Sequence, residues 1–350
     1  MRWTLNRKNM QYNQNAGYGR SLLNRINNVA ASVCPAFGRI FVVMSPDDSA
    51  DPNFQILQDV VKYDPDGNIR FFTSLATAYA ATTSNNDDII LLDGHSKHEV
   101  TEMLTVAKNR VHFVGMDGGG RAIQQGARIY MGVTGVATDL APVMVTGVRN
   151  SFHNIKAENA STTDESLYGW IENGEGNYYE NFMSVKTAGL DDAGNAHFWL
   201  AGDSCSGKNL TFGHSTVTAT AASYGILIDG KTGGGSDQIH ELFWDNVRVN
   251  MKVATGVCAT SCFIKIKDVD AMLCNNAING FRGYHQVEAG NTILTYAVIA
   301  PSTIVKGVLC LTDPAWFGST GVIDNASAGV QIACSGTAPD ANGGLSTNLT

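Results

Sequence analysis

Short apolar phrases, each built around an asparagine, return along most of the chain. They read Phe152-His153-Asn154-Ile155, Tyr179-Glu180-Asn181-Phe182, Gly207-Lys208-Asn209-Leu210 and Trp244-Asp245-Asn246-Val247. A fifth, Leu273-Cys274-Asn275-Asn276, follows, and from Asn154 the steps are 27, 28, 37 and 29 residues. Recurrence at a period between about 20 and 50 residues marks stacked repeats. Between the phrases lie short apolar runs of strand length: Val143 to Val145, Phe198 to Leu200, Ile226 to Ile228 and Cys262 to Ile266. The pattern predicts strands coiled into a solenoid, with a corner at each asparagine. Stacked asparagines can hydrogen-bond along the axis and satisfy turn amides that would otherwise be buried unpaired. The longest step contains Lys231-Thr232-Gly233-Gly234-Gly235-Ser236, read as an inserted loop on one face.

Upstream of the repeats, Arg39 to Met44 reads as a first strand, and Ser74 to Ala81, rich in alanine, as one helix. Asp87-Asp88-Ile89-Ile90-Leu91-Leu92-Asp93-Gly94 is a buried strand ending in a turn, followed by strands at Met103 to Ala107 and Val111 to Gly115. The open first coil of a solenoid must be covered, because bare strand edges and a naked apolar core invite aggregation. After Gly290 the runs Thr292 to Ala300 and Thr303 to Leu311 are strand-like, and Ser335 to Thr350 is polar.

This succession of a helix, a strand ending in glycine and stacked asparagine corners resembles right-handed parallel β-helix proteins of the pectate-lyase-like class over about residues 70–285. The expected fold is therefore all-β: a right-handed parallel β-helix solenoid with an N-terminal arm, a capping helix and a small C-terminal β region. The expected divisions are a basic arm over 1–38, a cap with first coils over 39–141, the β-helix over 142–289, and a C-terminal β region and tail over 290–350.

Composition sharpens the outer parts. Charged residues make up 16% of the chain and hydrophobic ones 44%, so apolar surface is ample. No apolar run reaches the roughly 20 residues that span a bilayer, and the N-terminal segment lacks a compact signal core. The seven cysteines form no tight disulfide framework and read as small buried hydrophobes of a protein made in a reducing host cytoplasm. Cys258, Cys262 and Cys274 fit no zinc-site spacing, and neither a metal nor a cofactor is expected. The net charge is −8, yet residues 1–40 carry +6 through Arg2, Arg7, Lys8, Arg20, Arg25 and Arg39, with no acid among them. The remainder thus carries −14. A basic arm on an acidic body suits attachment, and Arg2, Arg7, Lys8, Arg20 and Arg25 are its candidate docking residues. An acidic protein lattice is the expected partner; nucleic acid is the less favoured one.

Two functions follow from this reading. The chain resembles virion proteins of tailed bacteriophages. That implies a non-enzymatic capsid decoration, cement or head-fibre protein, a homotrimer docked on the major capsid protein. The alternative is a tailspike depolymerase cutting host surface glycan. Asp191-Asp192, then Gly213-His214-Ser215, then Lys265 and Lys267 follow the order seen in polygalacturonase-like hydrolases. Two carboxyls about 6.5–9.5 Å apart would give inverting hydrolysis. The chain departs from that pattern, with no Asn-Thr-Asp element ahead of the pair and Ser215 where glycine is expected. A lyase would need carboxylates around a base such as Arg282, and none cluster there in sequence. Asp191, Asp192 and His214 are the candidate catalytic residues of this alternative. Tyr168, Trp170, Tyr178, Tyr179, Phe198, Trp199 and Trp244 could stack on sugars or pack the core. The triple glycines at 118–120 and 233–235 are not phosphate loops, and His95, His98, His112 and His153 show no metal-ligand spacing.

Overall fold

The computed structural model describes residues 38–45, 58, 62–63, 67–94, 97–116, 127–132, 139–229, 239, 241–267, 272–286, 295–299, 307–312, 314–317, 323–325 and 330–335. The basic arm and its five docking residues lie outside them. The strands form a parallel β-helix. One coil comprises Ser151–His153, Lys156–Asn159 and Ile171–Glu172; the next comprises Tyr178–Glu180, Met183–Lys186 and Asn195–Leu200. Each strand pairs in parallel with its counterparts one coil below and above. The strands before and after the asparagine corner make a first and a second face, which share a 17-stranded sheet. The third face is a separate 8-stranded sheet. The β region after residue 290 continues this stacking: Thr295–Ile299 pairs with Cys262–Lys267, and Gly307–Thr312 pairs with Met272–Asn279 and Val330–Ser335.

The corner forms because asparagine tolerates the left-handed backbone conformation better than other side chains. Asn154, Asn181, Asn209 and Asn246 sit there with φ of 55°, 48°, 55° and 53°. Each amide nitrogen donates to the amide oxygen one coil below: Asn181 to Asn154 at 2.9 Å, Asn209 to Asn181 at 2.9 Å, Asn246 to Asn209 at 2.8 Å. The ladder is thus continuous over four coils. The fifth phrase departs from expectation. Register places Gly280, with φ of 59°, above Asn246. Asn276 instead serves the opposite end of the first-face strand. Its oxygen accepts from the Leu242 amide at 3.0 Å, and its amide donates to the Ile239 carbonyl at 3.1 Å. Asn150 and Asn177 do the same work lower in the stack, accepting from the amides of Val111 (2.9 Å) and Asn150 (2.7 Å).

Inside, register aligns Phe113, Phe152 and Tyr179 in one column. The Phe113–Phe152 and Phe152–Tyr179 ring centroids are each 5.0 Å apart, at 15° and 14°. Such pairs contribute about 0.5–1.5 kcal/mol each beyond burial. Gly207 interrupts the column. A Cβ there would lie 2.6 Å from the Tyr179 carbonyl oxygen. Phe198, from the third face, bridges the gap edge-on, 5.8 Å from Tyr179 and 5.6 Å from Trp244.

The lower end carries the expected helix, Leu75–Ala81, with Leu75, Ala78 and Tyr79 buried. Its alanines suit a helix, and its last carbonyls are held by one lysine. Lys108 Nζ donates to the carbonyls of Tyr79 (2.8 Å), Ala80 (2.9 Å) and Thr82 (2.7 Å). The Tyr79 ring stacks 6.1 Å from Phe113, joining cap to core. Arg39 pairs with Asp88 at 2.8 Å, so this arginine belongs to the first coil.

Asn181 makes two ladder bonds and holds a positive φ. Asn181→Ala is expected to cost about 3 kcal/mol, from two hydrogen bonds and the left-handed backbone. Asn181→Gly removes only the bonds and should cost about 1 kcal/mol less. Urea unfolding of the two variants checks this; equal losses would show that the backbone conformation carries no strain.

Candidate functional site

Asp191 and Asp192 lie in the turn between Met183–Lys186 and Asn195–Leu200; His214 follows the strand Ser206–Gly213 on the next coil. Both connections run from second to third face, so the three residues share one side of the rod. They are not assembled into one constellation. His214 Nδ1 accepts from the Thr216 amide at 3.1 Å, and its charged neighbours are Lys156 and Glu158. Asp192 is raised from its ordinary value by slight burial, then by Asp191 and Asp164, with Lys186 opposing. Among the described residues no hydrogen bond or ion pair joins His214 to either aspartate. Lys267 pairs with Asp229 at 3.4 Å. Of the aromatics, Trp170, Tyr179, Phe198 and Trp244 fill the core, while Tyr168, Tyr178 and Trp199 are half-buried.

A denser group stands on the outer surface of the first face. In that sheet alternate side chains point outward, and the inward ones are the aromatic column. The outward positions His112, Ser151 and Tyr178 stack in register, as do His153, Glu180 and Lys208. Coil stacking therefore brings together groups 27 to 39 residues apart. His112 Nδ1 lies 2.8 Å from Ser151 Oγ, and its Nε2 lies 3.4 Å from Asp87 Oδ1. Arg110 holds Asp87 through two bonds, the one from Nε being 2.8 Å. One coil up, Glu180 gathers Lys208 Nζ at 2.8 Å, His153 Nδ1 at 3.3 Å and Tyr178 Oη at 3.4 Å.

Burial sets the protonation states. It depresses the His112 pKa, with Asp87 opposing. It lowers His153 to about 4, although Glu180 pulls the other way. Burial acts to raise Glu180, yet Lys208 and His153 outweigh it and hold the carboxyl below its ordinary value. The face at neutral pH therefore presents two neutral imidazoles, an ionised Glu180–Lys208 pair and a serine hydroxyl. The arrangement can accept and donate protons and bind hydroxyl-rich ligands. Sequence reading passed over it because His112 and His153 look scattered in one dimension. The signal lay in the repeat itself: Phe113 and Phe152 are 39 residues apart, as are His112 and Ser151.

Other perturbed groups lie inside the coils. Glu172 is fully enclosed; its carboxylate accepts from Tyr179 Oη, from Asn177 Nδ2 at 2.8 Å and from the Gly174 amide at 2.7 Å. Burial raises it to about 7 against those bonds. Trp170 Nε1 donates to Tyr179 Oη at 3.0 Å, extending the network through the core.

No protein-family model matches the chain, and no curated protein matches it in sequence. Solved structures do match in shape. Pectin methylesterase PemA from Erwinia chrysanthemi superposes with a TM-score of 0.53 at 10% identity, covering 83% of this chain and 81% of that one. A pectin methylesterase in complex with a hexasaccharide gives 0.47 at 12% identity, with the same coverage of 83% and 81%. The first likeness shows the parallel β-helix fold.

Glu172 gives a pH signature. Its folded pKa of about 7 lies above the ordinary 4.5, so the folded state holds a proton that the unfolded chain has released. Its contribution is fully present below pH 4.5 and falls as pH rises to 7, by about 3 kcal/mol. Relative to Glu172→Gln, the native protein should lose that much stability between pH 4.5 and 8. Parallel pH profiles in urea unfolding would contradict a neutral Glu172.

Proposed function

We propose that the protein acts on a polysaccharide along the outer surface of its first face. The observation that carries this reading is the pair of bonded groups, Asp87–His112–Ser151 and His153–Glu180–Lys208, that stand side by side on one face over five successive coils. Coils rise about 4.8 Å each, so the run extends about 19 Å, a length that suits an extended polymer. Tyr178 and Phe243, the latter 50% exposed, stand on the same face and offer ring surfaces to sugars. The likeness to a pectin methylesterase bears on the fold; the case for a glycan rests on this face.

Asp191, Asp192 and His214 are the competing location for glycan chemistry. A virion role is the second reading: a trimeric rod docked on capsid protein through Arg2, Arg7, Lys8, Arg20 and Arg25. The stiffness that the asparagine ladder gives the rod favours it.

Affinity electrophoresis against a panel of neutral and acidic polysaccharides tests the first reading. At least one should retard the protein, and Tyr178→Ala combined with Lys208→Ala should weaken that binding about tenfold. Asp192→Asn should leave it unchanged. No retardation by any polysaccharide, or loss on Asp192→Asn alone, would overturn the assignment to the first face.

A further inference from the structure

We infer that Ser151, His112 and Asp87 form a nucleophile, base and orienting carboxylate that hydrolyse an O-acyl ester. The inference deepens the reading above and rests on it for the polymer that bears the ester.

The three groups form one chain: Ser151 Oγ to His112 Nδ1 at 2.8 Å, and His112 Nε2 to Asp87 Oδ1 at 3.4 Å. A serine, a histidine and a carboxylate in this order are recognised by geometry and role, on whatever fold they occur, and here the carboxylate of Asp87 is half-buried. Each member is held from outside the trio. Ser151 is fixed in the strand Ser151–His153 and keeps 8% exposure. His112 lies in the strand Val111–Gly115. Asp87 occupies a left-handed turn position, φ 53°, and is clamped by Arg110, itself at φ 56°. The serine hydroxyl faces a neutral imidazole whose second nitrogen, carrying the proton, points at the carboxylate. The longer Asp87 contact is of the kind that tightens when substrate binds.

The chemistry balances within this chain. Ser151 Oγ attacks the ester carbonyl carbon while His112 Nδ1 takes the hydroxyl proton. The imidazolium is stabilised by Asp87. The bond from carbonyl carbon to alkoxy oxygen breaks, and His112 returns the proton to the departing sugar hydroxyl. Water then attacks the acyl-serine, loses a proton to His112, and releases the acid as Ser151 regains its proton. Strand amides along this face are engaged in the ladder, so oxyanion stabilisation falls to side chains. Tyr178, the register partner of Ser151, carries a hydroxyl on the same outward column, where it donates a long 3.4 Å bond to Glu180 that an oxyanion could replace. Without a pair of backbone donors the site suits an ester, whose alkoxide leaves more readily than an amine.

A fluorophosphonate probe on the native protein, followed by peptide mapping, reads the nucleophile directly. Label is expected on Ser151. Hydrolysis of p-nitrophenyl acetate should fall to the buffer rate in Ser151→Ala and by about 100-fold or more in His112→Ala. Asp87→Asn, which keeps a residue tolerant of positive φ, should lower the rate and alter its pH profile. Absence of label on Ser151 in the native protein would overturn the inference, with no variant needed. So would undiminished hydrolysis by folded Ser151→Ala. Release of acid from an O-acetylated polysaccharide separates the two readings. Turnover of the small ester through Ser151 by a protein that binds no polysaccharide would refute the glycan reading alone. Polysaccharide binding with deacetylation unaffected by Ser151→Ala would refute the triad alone.

Discussion

Every backbone amide in a coil must find its partner in the coil below or above, and the rest of the molecule follows from that constraint. Straight strands meet it by parallel pairing. Corners meet it too: the Asn154 and Asn181 amides donate to the Glu180 and Lys208 carbonyls of the coil above, at 3.0 and 3.1 Å. The asparagine ladder adds a second tie between corners: a side chain that tolerates positive φ and carries both a donor and an acceptor repeats itself from Asn154 to Asn246, each amide bonded to the next. Where Gly280 replaces asparagine the backbone conformation survives and the side-chain bond does not.

Fixed corners fix register, and register decides what meets what. Inward positions align into the aromatic column, interrupted at Gly207 and bridged by Phe198. The interior is closed to substrate, so a fully enclosed group such as Glu172 tunes stability rather than turnover. Outward positions align by the same register. Groups of no evident relation in sequence become neighbours on the first face, and burial against adjacent strands keeps the imidazoles there neutral.

The fold was legible because the repeat has a simple chemical cause. Asn154, Asn181, Asn209 and Asn246 recur for one reason, and the helix near residue 75 caps an edge that had to be covered. The fifth corner misled because Asn275-Asn276 matches the phrase in composition, while register puts Gly280 at the corner. A second left-handed stack lies two residues ahead of the outward column, at Asp87, Arg110, Arg149, Gly176, Ser204 and Glu241, and was hidden because its residue types are mixed. The first-face cluster was hidden for a different reason. Its parts are neighbours through a coil of 39 residues, longer than the 27 and 28 that follow, so the spacing of the later corners does not point to them. Asp191, Asp192 and His214, adjacent or ordered in sequence, share a side of the rod without a bond between acid and base.

The central claim is that coil stacking holds His112 between a carboxylate and a hydroxyl as a single oriented, neutral imidazole. The ring nitrogen-15 resonances of His112 at neutral pH test it most directly. The account predicts one neutral tautomer, with the proton on the nitrogen facing Asp87 and the other nitrogen shifted as a hydrogen-bond acceptor. Two averaged tautomers, with resonances like those of a free imidazole in water, would contradict it.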